Sequence, residues 1–339
     1  MLRNARFRWI PPGIIVAVAL GLTFHGNALA QQGPGINSVK VTQVPSDPFD
    51  TAWQQAPPAE VPLIPQSVEV PRLLQVSVSS VTIRSLNDGR TIAFLLEWAD
   101  KTQDVMASRP DQFRDAAALM FPLGSTLPNI CMAGAGQIAH LWHWKADWQT
   151  DIDKGYQEVP EAYPNFFRDF YPFATGQSPH TWPADFTAEE ARLYSPGWAT
   201  GNPLSQPQKV TPVEELLANG FGTATHKDQQ AVGGRGAWAE GRWRVVLTRA
   251  MAPADEDSVN FTGRSEIPLA LGVWNGSNQE VGARKQLSSF VTLRIEGTAV
   301  LGLVPPELVM PAVIGLLVVV AAAAAAGVAI SRRKATAGS

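Results

Sequence analysis

The chain has 339 residues, a net charge of −3, eleven tryptophans and a single cysteine. With the three basic residues of each terminal segment set aside, 21 Lys and Arg stand against 30 Asp and Glu, so the body carries −9. An acidic body excludes nucleic acid as a partner, and a lone Cys131 excludes an intramolecular disulfide, a cysteine-held iron–sulfur cluster and a Cys-x-x-Cys-His haem attachment.

Residues 1–30 carry Arg3, Arg6 and Arg8, an apolar run from Ile14 to Phe24 and then Ala28-Leu29-Ala30, the pattern of a secretory signal peptide. The body, residues 31–300, is written mostly in strands. Runs rich in Val, Ile, Leu, Phe and Trp fall at Val70 to Ile83, Thr91 to Trp98, Ala139 to Trp144, Arg242 to Arg249, Ile267 to Trp274 and Leu287 to Ile295, parted by turn-formers such as Asn87-Asp88-Gly89 and Asn275-Gly276. Trp243, Val245 and Leu247 alternate with Arg242, Arg244 and Val246, which puts one face in a core. An antiparallel β-sandwich, mainly β with a few short helices, is the expected fold class. Residues 155–208, dense in Pro, Tyr and Phe without periodicity, read as a surface insertion. One helix is expected around 211–220, where Thr211 can cap, Pro212 suits the first turn, Glu214 completes a capping box and Gly220 can stop it. Gly233-Gly234-Arg235-Gly236 reads as a loop before a strand. After a linker at 301–307, residues 308–330 are free of charge and long enough to span a bilayer, which takes about 20 apolar residues. The basic tail, 331–339, begins with Arg332, Arg333 and Lys334. Positive residues stay inside, so the expected location is a cell membrane crossed once, with the main domain on the periplasmic or extracytoplasmic side and the C-terminus cytoplasmic.

No hydrolytic or phosphate-binding constellation is present: there is no Gly-x-Ser-x-Gly elbow, no His-Glu-x-x-His and no Gly-x-x-x-x-Gly-Lys segment. Met132 stands out, because it sits in a small-residue loop, Asn129-Ile-Cys-Met-Ala-Gly-Ala-Gly136, that runs into a strand rich in Trp and His. A thioether beside aromatics is most often core packing; it is also what a haem iron and its ring would need. His140 and His143 fall on opposite faces of that strand and cannot jointly clamp a metal from it.

Ordered blocks extend this. Phe49-Asp-Thr-Ala-Trp53, Phe94-Leu-Leu-Glu-Trp98-Ala-Asp100, Phe113-Arg-Asp-Ala-Ala-Ala-Leu-Met-Phe121-Pro122, Met132-Ala-Gly134 through Trp142-His-Trp144-Lys-Ala-Asp147, Gly236-Ala-Trp238 through Trp243, and Trp274-Asn-Gly276 through Arg284-Lys285-Gln286 resemble the haem b-binding gamma subunit of the ethylbenzene dehydrogenase group. That group takes in the dimethylsulfide dehydrogenase, selenate reductase and chlorate reductase gamma subunits. The resemblance implies a sandwich similar to the cytochrome domain of cellobiose dehydrogenase, with a non-covalent haem b between Met132 and Lys285. Trp142, His143 and Trp144 complete the implied cofactor-binding set, and Met120 and Lys145 are second choices for the two ligands. It also implies a subunit without catalysis of its own, relaying electrons between the iron–sulfur beta subunit and molybdenum-containing alpha subunit of an oxidoreductase complex and an external carrier, a soluble cytochrome or the quinone pool. The membrane-spanning segment departs from the group's soluble members. The competing reading is an extracytoplasmic carbohydrate-binding or sensor module without haem, with Trp142, Trp144 and Trp148 as a stacking platform.

Overall fold

The computed structural model describes residues 35–134, 136–157, 162–165, 196–206 and 208–297. The expected signal peptide, linker, membrane segment and tail, and most of the 155–208 insertion, lie outside these residues. Among the described residues no helix is long and apolar enough to cross a membrane.

Fourteen strands follow in chain order: β1 (Ile36–Lys40), β2 (Ala59–Pro62), β3 (Ile64–Pro65), β4 (Ser80–Asn87), β5 (Thr91–Ala99), β6 (Ala116–Pro122), β7 (Ala139–Lys145), β8 (Val213–Ala218), β9 (Thr225–His226), β10 (Gly233–Ala239), β11 (Arg242–Ala250), β12 (Glu266–Trp274), β13 (Gln286–Leu287) and β14 (Val291–Ile295). Among the described residues one helix exceeds two turns, α1 (Ala146–Lys154), which continues directly from β7. Its acidic Asp147 near the start and basic Lys154 near the end suit the helix dipole, and Gly155 at φ 96 ends it.

The strands join in the order β10-β11-β5-β4-β1-β14-β12-β6-β7-β8-β9. Strand β12 is the hinge of this path: Glu266 to Leu269 pair with β14, whereas Ala270 to Trp274 pair with β6. The ladder thereby turns over into two facing layers. Phe94 of β5 meets Trp142 of β7 at 5.9 Å between ring centroids, Trp98 meets Trp144 at 6.2 Å, and Trp144 meets Trp243 of β11 at 4.9 Å. These edge and tilted contacts are the arrangements that aromatic quadrupoles favour, and they fill the space between the layers with fully buried rings.

The pairing is mixed rather than wholly antiparallel. Strand β1 lies between β4 and β14, which run the same way, so both its ladders are parallel. The helix expected around 211–220 is the strand β8. Its local capping signals are overridden because Val213 to Ala218 pair with Trp144 to Ala139 of β7, and Val213 and Glu215 are buried by that pairing. The glycine run 233–236 is likewise part of a strand, β10, paired along its length with β11. A Cβ on Gly236 would lie 2.2 Å from Trp144 Cζ2, so a strand without side chain here is what lets the indole pack. Of the apolar run Val70 to Ile83, only Ser80 onward is strand, and Val70 and Leu74 are exposed. That stretch is held from Gln66, whose amide bonds Glu69 and Ala283 carbonyls and receives the Val68 and Glu69 N–H groups.

Candidate functional site

Alternation decides which side chains reach the site. Along β6, β7 and β12, the residues Ala117, Leu119, Phe121, Trp142, Trp144, Leu271 and Val273 belong to the core between the layers. The intervening positions project from the other side of the same sheet: Ala116, Ala118 and Met120, then Leu141, His143 and Lys145, then Ala270, Gly272 and Trp274. This second face has a floor of small residues with taller side chains around it. A flat group could rest there.

Met132 and Lys285 both come to that face. Met132 packs in an apolar cluster with Met120, Leu141, Ala139, Ala218 and Ala270. Its loop is strained, for Met132 and Ala133 are consecutive non-glycine residues at φ 70 and φ 69. Asn129 holds it, accepting the Cys131 N–H on its side chain at 2.9 Å and the Ala133 N–H on its carbonyl at 2.9 Å, while Gly220 N–H donates to the Met132 carbonyl. Lys285 lies over Gly272, whose missing Cβ would be 3.8 Å from Lys285 Cδ. The lysine carbonyl accepts the Gln66 N–H at 3.0 Å, and Gln286 after it pairs with Pro65.

The Lys285 side chain is the unusual member. It is 8% exposed, and among the described residues its amine has no hydrogen-bond or ion-pair partner. The amine instead faces the Trp274 ring at 4.8 Å from the centroid. Burial pulls its pKa down to about 8, opposed by the neighbouring Cys131 thiol. Half-buried His143 stacks on the same indole, 4.7 Å between centroids and tilted by 31°, and its Nε2 is buried without a partner. Burial holds this imidazole well below its usual pKa, and the positive charges of Lys145, Arg114 and Lys285 press the same way. His143 and Trp274 line an open groove together with Gln112, Phe113 and Arg114.

The remaining nominees are placed differently. Trp142 and Trp144 are fully buried between the layers, so neither reaches the groove face nor offers a stacking surface to a sugar, and Trp148 is 5% exposed. The alternation of β7 that points His143 outward necessarily points both tryptophans inward. Lys145 is engaged, ion-paired with Glu214 and set 4.1 Å over the Trp148 ring. Burial and these partners leave it no free amine. Met120 shares the Met132 cluster from the sheet itself. His140 is a core histidine: its Nε2 donates to Glu215 at 2.8 Å and its Nδ1 accepts the Val259 N–H. Trp274, Arg114 and the small-residue floor were not among the residues expected at the site. The run Ala116-Ala117-Ala118 and Gly272 are the signals that could have pointed to the floor.

These residues fit a haem. A half-buried thioether and a buried lysine whose charged form is penalised could serve as donors, and the apolar floor of small residues between them suits a flat ring.

A family model described as ethylbenzene dehydrogenase matches residues 50–286. The chain is 26% identical over 282 residues to the "Putative respiratory nitrate reductase heme subunit ORF7" of Haloferax mediterranei, covering 82% of this chain and 79% of that one. It is 22% identical over 277 residues to the chlorate reductase subunit gamma of Ideonella dechloratans, covering 78% of this chain and 89% of the other. Among solved structures, a carbohydrate binding module family 9 from Caldicellulosiruptor kristjanssonii in complex with glucose is 10% identical with a TM-score of 0.35, over 80% of this chain and all of that one.

Proposed function

The chain belongs to the ethylbenzene dehydrogenase family, and on that premise we propose that it is the haem b electron-transfer subunit of a multi-subunit molybdenum oxidoreductase. The family model and two relatives named as a haem subunit and a gamma subunit support this reading. The observation that carries it is Lys285, a buried amine with no anion to neutralise it, on the same sheet face as Met132.

In this reading Met132 Sδ and Lys285 Nζ would hold the haem iron. Lysine binds iron only as the neutral amine, and the burial that lowers its pKa favours that form. The strained 129–134 loop holds the thioether in place, while Ala116, Ala118 and Gly272 leave room for the ring. Trp274 packs beside the lysine and keeps water from it. When bound, the group would supply a one-electron couple, with a thioether favouring the reduced form and both iron-binding positions taken by the protein. The subunit would pass electrons between an iron–sulfur beta subunit, itself next to a molybdenum alpha subunit, and a soluble cytochrome or the quinone pool. Residues 1–30 would export the chain and residues 308–330 would anchor it, with the main domain outside.

The test is the visible spectrum of the full chain purified in detergent. The expected result is a Soret band and a b-type pyridine haemochrome, with the band shifted or lost in Met132→Ala and in Lys285→Ala and kept in Lys145→Gln. A wild-type chain without a Soret band when expressed with adequate haem overturns the proposal.

A further inference from the structure

A second polar cluster lies at the end of the aromatic core, away from Met132 and Lys285. Asp100 follows β5, Asp115 precedes β6 and Asp104 lies in the loop between them, with one oxygen of each within 4.8 Å of the others. Asp100 is 3% exposed and Asp115 0%, while Asp104 is half-buried. Among the described residues no Lys, Arg or His forms an ion pair with any of the three. Three carboxylates at this spacing repel one another, and burial intensifies the repulsion.

What the cluster lacks is visible at Asp100. Its Oδ1 receives the Thr102 N–H at 3.2 Å, but its Oδ2 is buried with no hydrogen-bond partner at all. A proton shared with Asp115 is the simplest remedy, and burial next to Asp100 does push Asp115 up to about 7. Yet Asp115 is already committed as an acceptor on both oxygens. Oδ1 takes the Gly276 N–H at 2.8 Å; Oδ2 takes the Asp104 N–H at 2.8 Å and the Trp243 indole N–H at 2.9 Å. These bonds oppose the rise without cancelling it; Oδ2 is saturated by its two donors, whereas Oδ1 takes one and keeps a lone pair for a cation. Hard divalent cations take oxygen ligands at about 2.3–2.6 Å and tolerate irregular shells completed by water.

We infer that Asp100, Asp104 and Asp115 form a binding site for a divalent cation of the calcium class. The buried pair supplies fixed ligands, Asp104 closes the site from the loop, and its half-exposed side admits water. Such a cation ties loop 101–114 to the ends of β5 and β6. The same loop ends in Phe113 and Arg114, which line the groove beside His143 and Trp274, so the cation would set the position of part of that groove's lining.

Terbium luminescence tests this on the full chain in detergent after chelator treatment and removal of the chelator. Trp243, hydrogen-bonded to Asp115, is placed to sensitise the ion. The expected result is tryptophan-sensitised emission that saturates at a single site and is displaced by calcium, together with a calcium-dependent rise in Tm. Asp104→Asn, at the half-exposed position, should weaken terbium binding by more than roughly tenfold while leaving far-UV circular dichroism in place; Asp100→Asn should do the same to binding. Two results overturn the proposal: a wild-type chain with neither emission nor a Tm response to millimolar calcium, or emission unchanged in Asp104→Asn. Because neither readout uses the haem, failure here leaves the electron-transfer proposal standing, and failure of that proposal leaves this one.

Discussion

The Lys285 amine lies 4.8 Å from the centre of the Trp274 ring, and among the described residues no carboxylate pairs with it. A cation over an indole gains about 0.5–2 kcal/mol, less than the several kcal/mol that burying an unpaired ion costs. The balance weakens the charged form and brings the pKa down to about 8, so the neutral amine is far easier to reach than in a solvated lysine.

Replacing Lys285 with Met, similar in length and uncharged, should therefore leave the apo chain as stable as wild type or more stable by about 1 kcal/mol. Urea unfolding of haem-free protein checks this. A loss above about 3 kcal/mol would mean that the lysine has a stabilising partner in the fold, and would undercut its assignment as a ligand in waiting.

Trp142 and Trp274 should separate stability from cofactor. Trp142→Ala empties a site packed by Phe94, Phe121 and Phe261 and should cost about 3–5 kcal/mol. Trp142→Phe should lower Tm yet leave the Soret maximum unmoved. Trp274→Ala should do the reverse, shifting the spectrum with a smaller loss of stability. If Trp142→Phe moves the Soret band and Trp274→Ala does not, the face assigned to the cofactor is the wrong one.

Gly236→Ala should destabilise the fold by about 1–3 kcal/mol, since its Cβ would stand 2.2 Å from Trp144. Thermal unfolding of the pair Gly236→Ala and Gly236→Ala/Trp144→Phe measures this, with part of the loss recovered in the double variant. No loss in the single variant would mean that β10 and Trp144 are not packed this way.

His140 gives a pH dependence with a defined sign. Burial lowers its pKa, with the Glu215 hydrogen bond opposing and the nearby Arg249 and Lys227 charges reinforcing the burial. The unfolded chain thus takes up a proton near pH 6.5 that the folded chain refuses. This contribution to stability is complete above about pH 6.5 and is lost as pH falls towards the folded pKa. Burial raises Glu215, but His140, the Ala231 N–H and Arg249 outweigh it and hold it low, so it too loses stability on acidification. Asp115, raised to about 7, acts in the opposite sense. The difference between wild type and His140→Gln isolates the histidine: wild type should lose ground to the variant between about pH 7 and 5.5. A difference that stays flat or widens in favour of wild type on acidification would exclude a neutral His140.

Several strands were legible because their side chains alternate or because long apolar runs end at turn residues. The expected run Thr91 to Trp98 differs from β5 by one residue, and Arg242 to Arg249 from β11 likewise. Strand β6 gave no such pattern, because all seven of its residues are buried, one set by the core and the other by the site face. The stretch at 213–218 misled through its capping residues, which are real local signals that lose to six cross-strand pairs with β7.

By itself, the sequence determined the chemistry on offer: one cysteine, an acidic body, and a methionine and a lysine some 150 residues apart in blocks of a known order. Those follow from residue identity and need no coordinates. Only the tertiary structure decided what surrounds them. It turned Trp142 and Trp144 into the core and His143 onto the site face, left Lys285 buried without an anion, and drew Asp100, Asp104 and Asp115 together. The physical reason is that burial and pairing depend on strands distant in the chain. A lysine's protonation state, or a carboxylate's need for a cation, is set by neighbours that local sequence does not specify.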